Sequence, residues 1–281
     1  MNWKALQYQK TLMKSKIKIQ VLMHDQNSGR KFLLSAYNID KISDVHFASL
    51  KNRVEAAGQL NHPNIQKVYG HSKKGNIYYV LSEHMEGVRL ESYLKYYGAV
   101  DEVWGLRFIH QLGDALDAAH EKGIVHGWLN GRKIFMKDNT PKITGFDQLA
   151  TVEYLACSRE EYETDMLYSS FYLPPEIIQE KLPLTSSDQY SLACIYYEAL
   201  TGLNLFKANY VLEILNRKFK GYNSLNLLDA AKQMVLGVAL NPEPSRRFAS
   251  IKDFLNALSV PNLSEQSFYG GVPVENQNRF V

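Results

Sequence analysis

Between residues 16 and 22 polar and apolar side chains alternate (Lys-Ile-Lys-Ile-Gln-Val-Leu). That period of two puts one face of a strand in a core and the other in water. Asn27-Ser28-Gly29 carries turn chemistry, and a second apolar run follows at residues 32–34, so residues 7–35 predict strands that include a hairpin. From residue 43 to residue 60 the apolar spacing becomes helical, through Phe47, Leu50, Val54 and Ala57, and His62-Pro63-Asn64 breaks it. Residues 65–69 and 77–81 predict two more strands around the polar turn 73–76. Residues 83–87 are a short polar connector, beyond which the pattern is mainly helical.

Phe108, Leu112, Ala115, Leu116 and Ala119 trace one apolar stripe, and Gly123 ends that helix. Residues 134–136 and 142–144 read as short strands around a turn. Residues 151–170 are polar and acidic and predict a surface loop. Residues 187–200 predict a strongly apolar helix, capped within residues 185–187 and closed by Gly202. Helices are also expected near residues 210–217, 227–236 and 251–258. The tail 261–281 lacks periodicity and is expected to be extended or mobile. The fold class expected is α+β: a small antiparallel β lobe with one helix (1–82), a hinge (83–87), a larger helical lobe (88–260) and the tail.

Composition agrees with a globular chain. Of 281 residues, 45% are hydrophobic and 22% charged, and no apolar run is long enough to cross a bilayer. The N-terminus lacks a signal-peptide pattern. Cys157 and Cys194 form no CxxC pair, and the eight histidines lack metal-ligand spacing. A cytoplasmic protein without a metal site is therefore expected. The charge is uneven: residues 1–85 hold 13 Lys/Arg and 5 Asp/Glu, against 19 and 24 in the remainder. Lys14, Lys16 and Lys18 read as one face of a strand and as candidates for binding an acidic or phosphorylated partner. A solvated edge strand protected by lysine explains them equally well. With a net charge of +3 and no aromatic interleaving, nucleic acid is not an expected partner.

Motifs in order make the pattern specific. They are His62-Pro63-Asn64-Ile65, residues 79–87, Gly123-Ile124-Val125-His126, Pro141-Lys142-Ile143-Thr144, Tyr172-Leu173-Pro174-Pro175-Glu176, residues 187–193, and Asn241-Pro242 with Arg247-Phe248. Over residues 8–260 the chain resembles a protein kinase, closest to the bacterial Hanks-type Ser/Thr kinases. The resemblance implies a bilobal kinase-like fold and a set of chemical positions for phosphoryl transfer: a glycine loop over the phosphates, a Lys held by a Glu, a catalytic Asp, and Asn plus Asp for Mg²⁺.

At those positions this sequence departs from the family. The glycine loop falls on residues 13–19, which contain no glycine. The family Lys falls on Ser35, and the helix Glu on Arg53, with Glu55 two residues away. The catalytic Asp is Trp128, the phosphate-contacting Lys is Asn130, the Mg²⁺-binding Asn is Lys133, and the Mg²⁺-binding Asp is Gly145. The structural positions match: His126 and Phe146 in the spine, Asp188 as anchor of the catalytic loop, Glu176 and Arg247 as the ion pair of the activation segment. Leu33 and Phe135 fall on either side of the adenine site, where added volume would exclude the base. Trp128 is expected to plug the emptied site.

These departures predict a pseudokinase that is no enzyme, holds no cofactor, and works as a protein-interaction or regulatory scaffold with a protein partner. Two alternatives are a nucleotide-binding sensor, and a transferase of AMP or glutamate on a kinase fold.

Overall fold

The computed structural model describes residues 5–148, 150–156, 158–220 and 225–259. The expectations for Cys157 and for the tail 261–281 lie outside the described residues.

Five strands build the first lobe: β1 (Leu6–Lys14), β2 (Lys18–Asp25), β3 (Lys31–Asn38), β4 (Val68–Lys74) and β5 (Ile77–Glu83). They form one antiparallel sheet in the order β1-β2-β3-β5-β4. Helix α1 (Asp44–Gly58) packs on it through Leu50, Val54 and Ala57. It starts where Ser43 Oγ accepts from the His46 N–H, satisfying one of the free amides of the first turn.

A small second sheet follows, of β6 (Val88–Arg89), β7 (Ile134–Lys137) and β8 (Thr140–Ile143). The rest is helical: α2 (Leu90–Tyr97), α3 (Glu102–His120), α4 (Ala150–Leu155), α5 (Arg159–Ser170), α6 (Pro175–Ile178), α7 (Thr185–Thr201), α8 (Val211–Phe219), α9 (Ala230–Ala239) and α10 (Ile251–Ser259). The molecule is thus α+β and bilobal, with a small sheet lobe and a larger helical one. Helix α7 is the centre of the helical lobe. Every residue from Ser187 to Tyr197 is buried, so α7 has no polar outer face there. Gly202 ends it at φ +69°, a left-handed cap conformation that glycine adopts without steric cost.

Two expectations are corrected here. Residues 151–170 are not a surface loop but carry the end of α4 and all of α5. Ser158 and Glu161 form a reciprocal capping box, with Glu161 N–H donating to Ser158 Oγ (3.2 Å) and Ser158 N–H to Glu161 Oε2 (2.8 Å). Arg159 and Glu163 pair one turn apart. The acidic composition concealed these helices because they bury few apolar groups, Val152 among them. The second correction concerns the lysines. Lys14 ends β1 and Lys18 starts β2, with Lys16 in the turn between them, so the three do not share a strand face. Lys14 and Lys16 are exposed; Lys18 is 2% exposed and unavailable to a partner.

Candidate functional site

A cleft of about 1040 Å³ opens between the β1–β2 turn, the loop around residues 126–133, and helices α4 and α5. Met13, Lys14, Ser15 and Lys16 form one wall. His126, Trp128, Lys133, Gly145 and Gln148 form the floor, and Glu153, Ala156 and Asp165 contribute to the far side.

The turn is tight. Ser15 Oγ accepts from the amides of Ile17 (3.3 Å) and Lys18 (3.0 Å), and Ser15 N–H donates to the Lys18 carbonyl (2.8 Å). A serine side chain thereby supplies the partners that a longer loop would leave open. The same geometry sends Lys18 inward. Its Nζ donates to both oxygens of Glu153, at 2.7 and 2.8 Å, and lies 5.2 Å from the centre of the Tyr37 ring. Burial disfavours the Glu153 anion, yet Lys18 and then Lys133 outweigh it and hold the carboxyl below its ordinary range. Nothing in the sequence pattern singles out Glu153.

The floor is organised by Asp188 of α7. Its Oδ2 accepts from the His126 amide (2.8 Å) and its Oδ1 from the Gly127 amide (2.8 Å). His120 Nε2 lies 2.8 Å from the same Oδ2. The His126 ring contacts Phe146 edge-on at 4.8 Å, with Nε2 2.9 Å from the Thr144 carbonyl. Burial pushes the His126 imidazole down to about 4, against the opposing pull of Asp188. Arg53 of α1 donates from Nη2 to the His126 carbonyl at 3.0 Å. Glu55 instead lies outside, 3.6 Å from Lys51. Arg53 is therefore the α1 residue that reaches the loop, and it grips backbone rather than a lysine.

The remaining positions have partners of their own. Ser35 Oγ accepts from Gln20 Nε2 (3.0 Å) on the neighbouring strand. Asn130 is buried; its Oδ1 accepts from the Arg132 amide (2.9 Å) and its Nδ2 donates to Ser169 Oγ (3.2 Å), which ties the loop to the end of α5. Lys133 Nζ donates to Gln148 Oε1 (2.6 Å). Burial lowers the Lys133 ammonium and raises the Asp147 carboxyl, the latter against the charge of Lys18. Gly145 sits at φ +97°, and a Cβ there would lie 3.3 Å from Lys133 Cδ and 3.6 Å from His126 Nε2. An aspartate would be strained by the backbone and crowded by Lys133. Trp128 is half-buried and lines the cleft without closing it. Leu33 and Phe135 are also half-buried, and neither lines this cleft; Phe135 faces the Arg89 guanidinium at 6.0 Å.

Behind the cleft, Glu176 and Arg247 form a buried two-pronged pair at 2.7 and 2.9 Å. Beside it runs a chain of hydroxyls, Tyr168 to Tyr172 (2.9 Å) and Tyr172 to Glu198 (2.6 Å). Burial raises the Glu198 carboxyl from 4.5 to about 7, with Tyr172 opposing. Between those values the folded protein holds a proton that the unfolded chain releases. The stability contribution is complete below the lower value and is lost as pH rises through the upper one. Glu198→Gln keeps an acceptor for Tyr172 and cannot ionise. Its stability relative to wild type is expected to improve by about 2 kcal/mol between pH 5 and pH 8, read by urea denaturation at both values.

The family description "Protein kinase domain" matches residues 20–264. The chain belongs to the protein kinase family. It is 29% identical over 183 residues to the serine/threonine-protein kinase PrkC of Bacillus subtilis, a match covering 64% of this chain and 28% of that protein. It is 24% identical over 259 residues to a probable serine/threonine-protein kinase of Clostridium acetobutylicum, covering 89% and 36%. It is 26% identical over 208 residues to mouse serine/threonine-protein kinase Nek1, covering 71% and 17%. The chain thus spans well under half the length of these relatives. The expectation that the chain is no enzyme is corrected by these matches: the family is an enzyme family, and the relatives carry the names of serine/threonine kinases.

Kinases of the family hold ATP with Mg²⁺, and the residues here do not fit that pair. The resemblance puts the Lys133 ammonium, a cation, at one metal-ligand position. The resemblance puts Gly145 at the other, which has no side chain to ligate a metal and whose φ of +97° would strain a carboxylate residue. Among the described residues no helix is long and apolar enough to cross a membrane.

Proposed function

We propose that this protein-kinase-family domain acts in the cytoplasm as a protein-interaction and regulatory module whose cleft does not take up ATP with Mg²⁺. One observation carries the reading: the polar groups that would meet a nucleotide are already engaged with one another. Lys18 is held by Glu153, Lys133 by Gln148, and Arg53 by the His126 carbonyl. A ligand would have to break these contacts before gaining its own. The loop and the helices after it are tied to the helical lobe by Asp188, Asn130 and the Glu176–Arg247 pair, which supports a preformed binding surface. The exposed Lys14 and Lys16 beside the cleft suit an acidic face of a protein partner.

A thermal-shift titration with ATP, with and without Mg²⁺, tests the reading. No saturable stabilisation is expected up to millimolar nucleotide. A ligand at a hundred times its Kd would stabilise the fold by about 2.7 kcal/mol, so saturable stabilisation at sub-millimolar ATP–Mg would refute the proposal. The names of the relatives favour a second reading, phosphoryl transfer by this chain. Incubation with labelled ATP, Mg²⁺ and a generic protein acceptor separates the two, since label in the acceptor above a no-protein control supports the second.

A further inference from the structure

Helices α1 and α4 reach the five-stranded sheet from one side. Lys18 and Tyr37 point to Glu153 of α4, and Tyr78 meets Phe47 of α1 with 5.3 Å between ring centres. Lys73 Nζ lies over the same Phe47 ring at 5.7 Å. Side chains alternate along a strand, so the residues between these point outward. An antiparallel sheet covered on one face commonly carries polar side chains on the other. Here the outward face is apolar. Ile19, Ala36 and Tyr79 lie side by side across β2, β3 and β5. The next row is Val21, Leu34 and Leu81, and beyond it Met23 pairs with Phe32. Phe32 and Leu81 are buried, yet they stand apart from the core that takes Tyr37, Tyr78 and Val80. The other six keep exposed surface, so no second layer is packed over them, and none of the eight lines the cleft.

The free charges around this face share one sign. Lys14 pairs with Ile19 at the β1 side, and Lys74 with Ile77 at the β4 side. Arg30 sits at the end of the β2–β3 turn, where its charge is felt at Tyr69, and Tyr69 meets Phe32 edge-on at 5.2 Å. All three cations are exposed, and among the described residues none is in an ion pair. The acids nearby are engaged: Asp25 by the Asn27 amide and the Ser28 hydroxyl of its own turn, Glu83 by Lys142.

Size and charge together select an occupant. Three strands about 4.8 Å apart, each giving about five residues, make an apolar strip about 10 Å wide and about 15 Å long. An α-helix is about 10–12 Å across and covers that length in about three turns. A second copy facing the strip about a two-fold axis would set cations against cations, which disfavours self-pairing. A bilayer is gripped by side chains that stand out into it, whereas most of these lie half-buried against one another.

We propose that the outward face of β2, β3 and β5 docks an amphipathic helix of a partner protein, its apolar stripe on the strip and its Asp or Glu flanks meeting Lys14, Arg30 and Lys74. The inference rests on the reading of this domain as a protein-interaction module, and it gives that module a surface separate from the cleft.

The probe is a fluorescein-labelled helical peptide of about 15 residues, with leucine along one face and glutamate on both flanks, followed by anisotropy with the whole chain. Saturable binding is expected. Leu34→Gln is expected to weaken it at least tenfold. Arg30→Glu with Lys74→Glu alters only exposed side chains; it is expected to weaken this peptide at least tenfold and to favour the same peptide with lysine flanks. Absence of binding overturns the proposal, as does binding that neither variant changes. So does binding lost only in Lys14→Glu with Lys16→Glu, which would put the peptide at the cleft mouth. Three further results would assign the face to another occupant and overturn it: a wild-type dimer in sedimentation that Leu34→Gln dissociates, pelleting with phosphatidylglycerol vesicles that Leu34→Gln abolishes, or displacement of the probe by a synthetic peptide of residues 261–281. Saturable uptake of ATP–Mg would instead overturn the reading of the cleft and leave these outcomes unchanged, so the two failures are told apart.

Discussion

Asp188→Ala is expected to destabilise the protein by about 3–5 kcal/mol, because each buried polar group left without a partner costs about 1–3 kcal/mol. The carboxylate is 1% exposed and accepts from the amides of His126 and Gly127, and His120 Nε2 lies within hydrogen-bond distance of it. Alanine leaves both amides without their acceptor. Relief would require the loop to move, and the loop is held elsewhere: the His126 carbonyl receives Arg53, and the His126 ring is packed against Phe146. Asp188→Asn restores one acceptor but turns an NH₂ group toward a donor, so an intermediate loss is expected. Urea denaturation with matched slopes measures the stability, and the near-ultraviolet circular dichroism of Trp128 and its neighbours reports the loop. A loss within 0.5 kcal/mol, the range of an ordinary surface substitution, would show that the loop does not depend on this anchor.

The Glu176–Arg247 pair predicts a different signature. Glu176→Gln is expected to cost about 3–5 kcal/mol, since a guanidinium remains buried without its counter-ion. Arg247 has no exposed side-chain surface, and it also donates to the carbonyls of Asn241 and Ser186. It therefore joins the activation segment, the start of α7 and the turn before α10. Arg247→Met strands the Glu176 carboxylate, although Ser187 Oγ still donates to it at 2.8 Å, so its loss should be the smaller. The double variant Glu176→Gln with Arg247→Met removes both charges together. Its cost is expected to be less than the sum of the single losses by about 2 kcal/mol, the coupling of two groups in direct contact. A double-mutant cycle in urea gives that number. Strict additivity would mean that the two side chains do not act as a pair.

Much of the fold was readable because its signals are local. The alternation at residues 16–22 and the stripe through Phe108, Leu112 and Leu116 each depend on a few residues in a row, and each fell on an observed element. Where boundaries slipped, a cap explains it. The helix expected from residue 227 starts at Ala230, because Asp229 accepts from the Lys232 amide. The helix α5 was also legible in principle, through Ser158 and Glu161 three residues apart, but the acidic composition around them was read as a loop.

The site was legible as a set of substitutions but not as an arrangement. The resemblance puts Trp128, Lys133 and Gly145 where the family keeps its acids and amides. It did not show that Lys133 would turn to Gln148, or that the backbone at Gly145 takes a positive φ that disfavours any side chain. Arg53 and Glu55 were alternatives in the sequence. The turn of α1 separated them, sending one to the His126 carbonyl and the other to the surface.

The sequence by itself determined the lobes, their order and the family, since periodicity, caps and motif spacing are properties of neighbouring residues. Only the tertiary structure decided what Lys18 does. As a letter in an alternating strand it read as one of three basic side chains open to a partner. The tight turn at Ser15 and the packing of α4 against the sheet lobe bring it to a carboxylate 135 residues away. A charge far from water takes the counter-charge that approaches in space, and that approach is fixed by the packing of the lobes rather than by any local pattern.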